Sequence, residues 1–385
     1  MKNFHVLTTA LAAAAILAGC GGNDAGDQSS RVNFTQVVSF GDSLSDVGSY
    51  DVGVVQAAGG GHYSINGQGA TGLPYINWTE FLAATLQVAQ PCAAETGLAT
   101  LPIQPGYAPV PATFHDTTST GNCTNYAQGG ARVTDPHGPG NTFYFKASDP
   151  TTYSNAIGQL TVPVQQQITN YLNSHSGTFN SDQLVTVFAG GNDLFIDVAT
   201  FQATVAAGVD QTTAATAAVT AMGTAGAQLA AYVNTMILAK GATHVVVVNL
   251  PDVSLTPYAI ASGPAAQALV KQMTVAFNTQ LQAGLTASDS LVLVDAFSAS
   301  EDQAAHPAQY GLTNVTSPAC DLNVVSSSLI CTKASLIAAL APSPATAPAT
   351  AANGYEYADS VHPTPFGYSL LATLVAENLA LKGWL

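Results

Sequence analysis

The sequence predicts an α/β protein built on a central parallel sheet. Four short β-branched runs, at residues 37–40, 184–189, 244–250 and 291–295, are almost wholly apolar. That is the pattern of strands buried on both faces of a parallel sheet. Longer segments with helical spacing separate them, so strand and helix alternate as right-handed crossovers require. The composition agrees: 47% of the 385 residues are hydrophobic, enough for a sizeable core and incompatible with global disorder.

Taken from the N-terminus, the first element is an address. Lys2 is a short positive region, and an apolar stretch follows to Leu17. The stretch is too short for a permanent transmembrane helix and fits a secretory leader. Leu17-Ala18-Gly19-Cys20 resembles the bacterial lipoprotein box, in which the cysteine is lipidated and becomes the mature N-terminus. An ordinary signal peptide with an incidental cysteine is the alternative. The expected organisation is a lipoprotein signal peptide at 1–19, a flexible tether at 20–33 and one domain at 34–385. Gly21 after Cys20 favours the outer membrane, facing either the periplasm or the outside.

Within the domain, helical spacing marks 76–88 (Trp78, Phe81, Leu82, Leu86), 162–172 (Val164, Ile168, Tyr171, Leu172), 222–238 (Leu229, Val233, Met236, Ile237) and 265–285 (Leu269, Met273, Phe277, Leu281). A last helix starts at Thr364-Pro365, with proline at its first position. Two stretches, 90–121 and 307–354, are rich in Pro, Gly, Thr or Ala and read as loop insertions. No repeat and no second core is evident. Apart from Cys20 the cysteines are Cys92, Cys123, Cys320 and Cys331. An even number in an exported chain reads as two disulfides. Nearest-neighbour pairing is favoured among the three possible, each bridge adding about 3 kcal/mol by loop entropy. A zinc site is the rival, but no Cys-x-x-Cys or histidine cluster supports one.

Charge excludes partners. Only 8% of residues are charged, and 23 acidic against 8 basic side chains leave −15. Nucleic acid would be repelled, and no polybasic membrane patch exists.

Chemistry gathers in four short motifs, each at the end of an element, where open α/β sheets bind ligands. Gly41-Asp42-Ser43-Leu44-Ser45-Asp46 follows the first strand. A serine there can be a nucleophile, although Ser43-x-x-Asp46 is also a capping-box pattern. Asn125-Tyr126-Ala127-Gln128-Gly129-Gly130-Ala131-Arg132 holds adjacent glycines, which let a backbone amide approach a ligand or make a tight turn. Gly190-Gly191-Asn192-Asp193 follows the second strand. Asn192 can donate to an oxyanion or serve a turn or N-cap. In Asp359-Ser360-Val361-His362-Pro363, Asp359 can fold back onto the His362 ring, or both can be incidental. No Gly-x-Ser-x-Gly elbow occurs, so the α/β-hydrolase scaffold is excluded.

Together, in this order, the motifs resemble the blocks of the GDSL lipase/esterase family of SGNH hydrolases, of the bacterial lipoprotein type. The resemblance covers nearly all of the mature chain. It implies a flavodoxin-like three-layer α/β/α fold with a central parallel sheet and loop insertions. It implies Ser43 as nucleophile, His362 as general base and Asp359 as the acid that orients it. The implied oxyanion hole is the Ser43 N–H, the Gly130 N–H (Gly129 second) and the Asn192 side chain. It implies no cofactor and no metal. The expected activity is hydrolysis of carboxylic esters, lipidic or of short to medium acyl chain, through an acyl-enzyme on Ser43. Phe143, Tyr144, Phe145, Leu194 and Phe195 are candidate apolar walls, or core. The alternatives are a carbohydrate O-acetylesterase, a phospholipase or acyltransferase of the same fold, and a catalytically silent surface binding protein.

Overall fold

The computed structural model describes residues 32–97, 112–117, 121–139, 141–146, 149–158, 160–341 and 346–385. The expected leader, Cys20 and most of the expected tether lie outside them. Four strands form the central sheet: β1 (Gln36–Gly41), β2 (Gln183–Phe188), β3 (Val245–Val248) and β4 (Leu291–Val294). Their spatial order is their chain order and all pairs are parallel, with Val37 opposite Leu184 and Val185 opposite Val245. β2 and β3 are buried along their whole length. Side chains on both faces of these strands are inside, which is why the runs are continuous rather than alternating.

The sheet continues past β1. Ser39 N–H donates to Thr124 O (3.0 Å), Tyr126 N–H to Ser39 O (2.8 Å) and Gln128 N–H to Gly41 O (3.2 Å), with a parallel bridge between Ser39 and Asn125. Counting this extended segment, the order in chain sequence is 2-1-3-4-5, the flavodoxin-like winding. Its direction reverses between β1 and β2, and the crevice at that switch point receives ligands.

Two helical layers cover the sheet. In chain order the helices are α1 (Trp78–Thr85), α2 (Val164–Ser174), α3 (Gly191–Ala206), α4 (Gln211–Tyr232), α5 (Pro264–Gly284), α6 (Ala296–Ala305) and α7 (Pro365–Lys382). α1 packs on α7, and α4 packs on α5 and α3. The result is the three-layer α/β/α fold the motifs imply. α1 starts with a capping box of Asn77 and Glu80, which satisfies donors that would otherwise be orphaned.

Some elements differ from expectation. α4 begins at Gln211, well before residue 222, because its buried face there is Ala214 and Ala218 rather than large residues. Small side chains let it lie close to α5: a methyl at Gly226 would strike the Phe277 carbonyl at 2.2 Å. The helix ends in a π-helical turn, Val233–Ile237. α3 and α6 are unforeseen: α3 starts inside a segment that also reads as a turn, and α6 follows directly on the fourth strand run. α6 is capped by Asp295, which takes the Ser298 N–H at 3.1 Å.

The insertions are ordered differently from one another. The first carries two-residue ribbons around the Cys92–Cys123 bridge, whose Cα atoms are 4.7 Å apart. The second wraps the Cys320–Cys331 bridge, Cα atoms 6.1 Å apart, in a small apolar cluster of its own with Ile65, Val325, Leu336 and Leu340. That satellite core has no counterpart in the sequence reading, because its members are scattered between residues 65 and 358 without periodicity. The nearest-neighbour pairing holds, and it occupies the cysteines a zinc site would need.

Candidate active site

β1 delivers Ser43 to the switch point. The end of the strand is pinned by a buried amide: Gly41 N–H donates to Gln167 Oε1 and Gln167 Nε2 donates to Gly41 O, both at 2.8 Å. Only glycine fits there, since a Cβ at Gly41 would meet the Phe188 carbonyl of β2 at 2.2 Å. The chain then turns tightly, with Leu44 N–H donating to Asp42 Oδ1 at 3.0 Å. No helix follows, so Ser43 caps nothing. Its Oγ instead lies 2.8 Å from His362 Nε2.

His362 sits in the loop that α7 terminates. Thr364 accepts the Gly367 N–H at 3.1 Å and Pro365 opens the helix, fixing where the loop ends. Asp359 folds back as the spacing suggests. Its Oδ2 and Oδ1 lie 2.8 and 3.0 Å from His362 Nδ1. With the carboxylate on Nδ1, the neutral ring carries its proton there and presents the Nε2 lone pair to Ser43. Asp359 is 4% exposed and also accepts the N–H groups of Ser328 (2.9 Å), Val361 (2.9 Å) and His362 (2.8 Å). Burial alone would raise this carboxyl. The facing imidazole and the hydrogen bonds from His362 and Ser328 outweigh it and hold the group well below the usual carboxylate range.

The other three blocks meet through carboxylates. Asp46 accepts Gly48 N–H (2.9 Å), Ser49 N–H (2.7 Å) and Gly129 N–H (2.8 Å). Tyr50 Oη donates to the Gly129 carbonyl at 2.6 Å. Gly129 is thus held at both ends. Gly130 follows with φ +81°, and its N–H has no acceptor among the described residues. Asn192, the second residue of α3, donates through Nδ2 to Ala131 O at 2.9 Å. Asp193 accepts Val133 N–H (3.0 Å) and Arg132 Nε (3.1 Å). Two neighbouring side chains on α3 therefore clip it to the glycine loop. The N-cap of α3 is Gly190, φ +121°, where a Cβ would strike the Phe277 ring at 2.4 Å.

Ser43, Asn192 and His362 line one cavity of about 110 Å³. Its walls are mainly apolar and include Leu44, Phe188, Phe195, Leu250, Leu371 and Leu374. Three carboxyls also border it, Asp42, Asp252 and Glu356. Burial pushes Asp42 and Glu356 up to about 7; for Asp42 the Leu44 N–H and His362 pull partly the other way. Glu356 Oε2 is buried without a hydrogen-bond partner.

The structure brings Ser43, Asp359 and His362 into one hydrogen-bonded chain, and joins Asn192, at the start of α3, to the loop that carries Gly130. Between the two glycines, Gly129 has its N–H taken by Asp46. Of the candidate walls, Phe195 lines the cavity, whereas Leu194 is core, fully buried among the hydrophobic residues of the main cluster. The side chains of Phe143, Tyr144 and Phe145 lie outside the described residues, as does Cys20. Sequence reasoning missed the bracing roles of Asp46 and Asp193, the Ser328 N–H, and Tyr63 beside His362. Asp46 and Asp193 lay within the motifs, but their partners are 83 and 60 residues away.

With this geometry in hand, the comparison with known families is direct. The family model described as GDSL-like Lipase/Acylhydrolase matches residues 37–375. The match spans most of the chain, which therefore belongs to the GDSL lipase/acylhydrolase family and is a hydrolase of the esterase/lipase type. A comparison with curated proteins finds no match.

Proposed function

We propose that this protein hydrolyses carboxylic esters with apolar acyl chains through an acyl-enzyme on Ser43. The observation that carries the reading is the Ser43 Oγ to His362 Nε2 contact of 2.8 Å, with Asp359 behind the ring at 2.8 Å. His362 takes the Ser43 proton as Oγ attacks the ester carbonyl. The developing oxyanion is met by the Ser43 N–H, the Gly130 N–H and the Asn192 amide. Gly130 rather than Gly129 fills this role because the Gly129 N–H already donates to Asp46. His362 then passes the proton to the leaving alcohol. Water, activated by the same ring, releases the acid and regenerates the serine. None of these steps calls for a metal or an organic cofactor.

The apolar cavity beside Ser43 supports an acyl chain as the group bound there, and so favours a lipidic or short to medium acyl ester over a polar carbohydrate acetate. Leu17-Ala18-Gly19-Cys20 supports attachment to the outer membrane through a lipid on Cys20. The test is a rate panel on p-nitrophenyl esters from acetate to palmitate, with Ser43→Ala alongside. Turnover that vanishes in the mutant is expected. Turnover that survives in Ser43→Ala refutes the nucleophile, and an inactive folded wild-type protein refutes the enzyme.

A further inference from the structure

Tyr63 lies outside the four motifs in sequence but packs beside His362. Its ring lies against the imidazole, centroids 4.8 Å apart and tilted by 35°, and meets Tyr50 edge-on at 6.2 Å. The segment is locked to the histidine loop: Ser64 Oγ donates to Pro363 O at 2.9 Å, and Tyr368 Oη to Tyr63 O at 3.2 Å. From this position the phenol reaches across to the glycine loop. A Cβ added at Gly129 would lie 2.2 Å from Tyr63 Oη. The hydroxyl therefore rests on the Gly129 Cα, one peptide from the Gly130 N–H.

Neither polar group of Gly129 serves this hydroxyl, because Asp46 takes the N–H and Tyr50 the carbonyl. Among the described residues Tyr63 Oη makes no hydrogen bond, and it is not among the atoms sealed from solvent. A half-buried phenol without a protein hydrogen bond, its ring on His362 and its hydroxyl beside the glycine loop, has its donor available to a bound substrate. Burial, with the carboxyls of Asp46, Asp359 and Asp42 around it, raises the phenol well above its ordinary value. It stays protonated and acts as a donor.

We propose that the Tyr63 hydroxyl is a further hydrogen-bond donor to the oxyanion of the tetrahedral intermediate, reaching it from the Gly129–Gly130 edge of the hole. The proposal rests on the reading of Ser43 as nucleophile. It also accounts for the glycine doublet: Gly130 adopts φ +81°, and Gly129 leaves room for the phenol.

Tyr63→Phe keeps the ring on His362 and removes only the hydroxyl. On p-nitrophenyl and ethyl esters of one acid, the expected result is a kcat lower by about 10–10² on both, toward the scale of a lost oxyanion donor. KM should stay within about twofold, since the bond forms in the transition state. Phosphonylation of Ser43 by a p-nitrophenyl phosphonate, with release of p-nitrophenolate, should slow alongside. A wild-type kcat in Tyr63→Phe overturns the proposal, and so does a loss confined to the ethyl ester, which would put the hydroxyl on the leaving oxygen. If the phosphonate labels Ser43 equally fast in wild type and Tyr63→Phe, the Tyr63 assignment falls alone. If the folded wild-type protein neither turns over nor labels, the nucleophile reading falls and takes this proposal with it.

Discussion

Asp46 accepts the Gly129 N–H at 2.8 Å across 83 residues of sequence. One carboxylate thereby ties the turn that carries Ser43 to the loop that holds Gly130. Burial raises this carboxyl, while hydrogen bonds from Ser49, Gly129 and Gly48 pull it back. Asp46→Ala should lower kcat by tenfold or more with a smaller effect on KM, because it loosens donors that act in the transition state. Stability should also drop by roughly 1–3 kcal/mol, the range for orphaned buried donors. Steady-state kinetics beside urea unfolding checks both. A destabilised variant with wild-type kcat would show that Asp46 braces only the fold.

Asn192 reaches the same loop from α3. Asn192→Ala should cost roughly 10²–10³ in kcat, the loss typical of one oxyanion donor. Saturation kinetics on a short-chain ester decides it: a kcat within a factor of two of wild type, by the usual reading of such data, removes Asn192 from the hole.

Acyl preference should follow the cavity. The cavity is apolar and small, about 110 Å³. Hydrolysis of p-nitrophenyl esters should therefore peak at short to medium chains and fall toward palmitate. Ala299→Phe, on the α6 wall of the cavity, should move the peak to shorter chains while sparing acetate. An optimum that does not move would place the acyl group elsewhere.

Stability should depend on pH through buried carboxyls. Asp42, Asp197 and Glu356 are each pushed up to about 7 by burial. In the unfolded chain such groups ionise near 4. Between these values the folded protein binds more protons than the unfolded one, so stability falls as pH rises from about 4 to about 7. Asp359 has the opposite sign: its folded value is depressed, so its contribution is present above about 4 and fades as the pH drops further. Tm should thus be highest in mild acid and decline toward neutrality. Glu356→Gln should flatten part of that decline, and a Tm that climbs steadily from pH 5 to pH 8 would contradict it.

The Cys320–Cys331 bridge closes the loop that supplies the Ser328 N–H to Asp359. Replacing both cysteines by serine should lower stability by about 3 kcal/mol, the scale for a short closed loop. It should also lower kcat, because the triad acid loses a fixed donor. Cys92–Cys123 makes no such contact. If activity of the folded double variant is unchanged, Ser328 is held by the surrounding cluster instead.

Much of this molecule is written locally. The four strand runs, the capped helices at Asn77 and Thr364, and the pairing of nearest cysteines follow from neighbours in the chain. So do Ser43 at a strand end and Asp359 three residues before His362, because each needs only short-range geometry. What the sequence could not supply was contact between distant segments. Burial on small residues hid the start of α4, since Ala214 and Ala218 carry no strong hydrophobic signal. The satellite core around Cys320 draws on residues as far apart as Ile65 and Ala358. The choice between Gly129 and Gly130 was open in the sequence, where either amide could face a ligand. In the fold the Gly129 N–H is turned onto Asp46, the Gly130 N–H has no acceptor among the described residues, and Tyr63 sits over the first glycine. A motif names the residue types that chemistry needs. Only the folded chain determines which donors are already satisfied, and an oxyanion can recruit only the ones that are not.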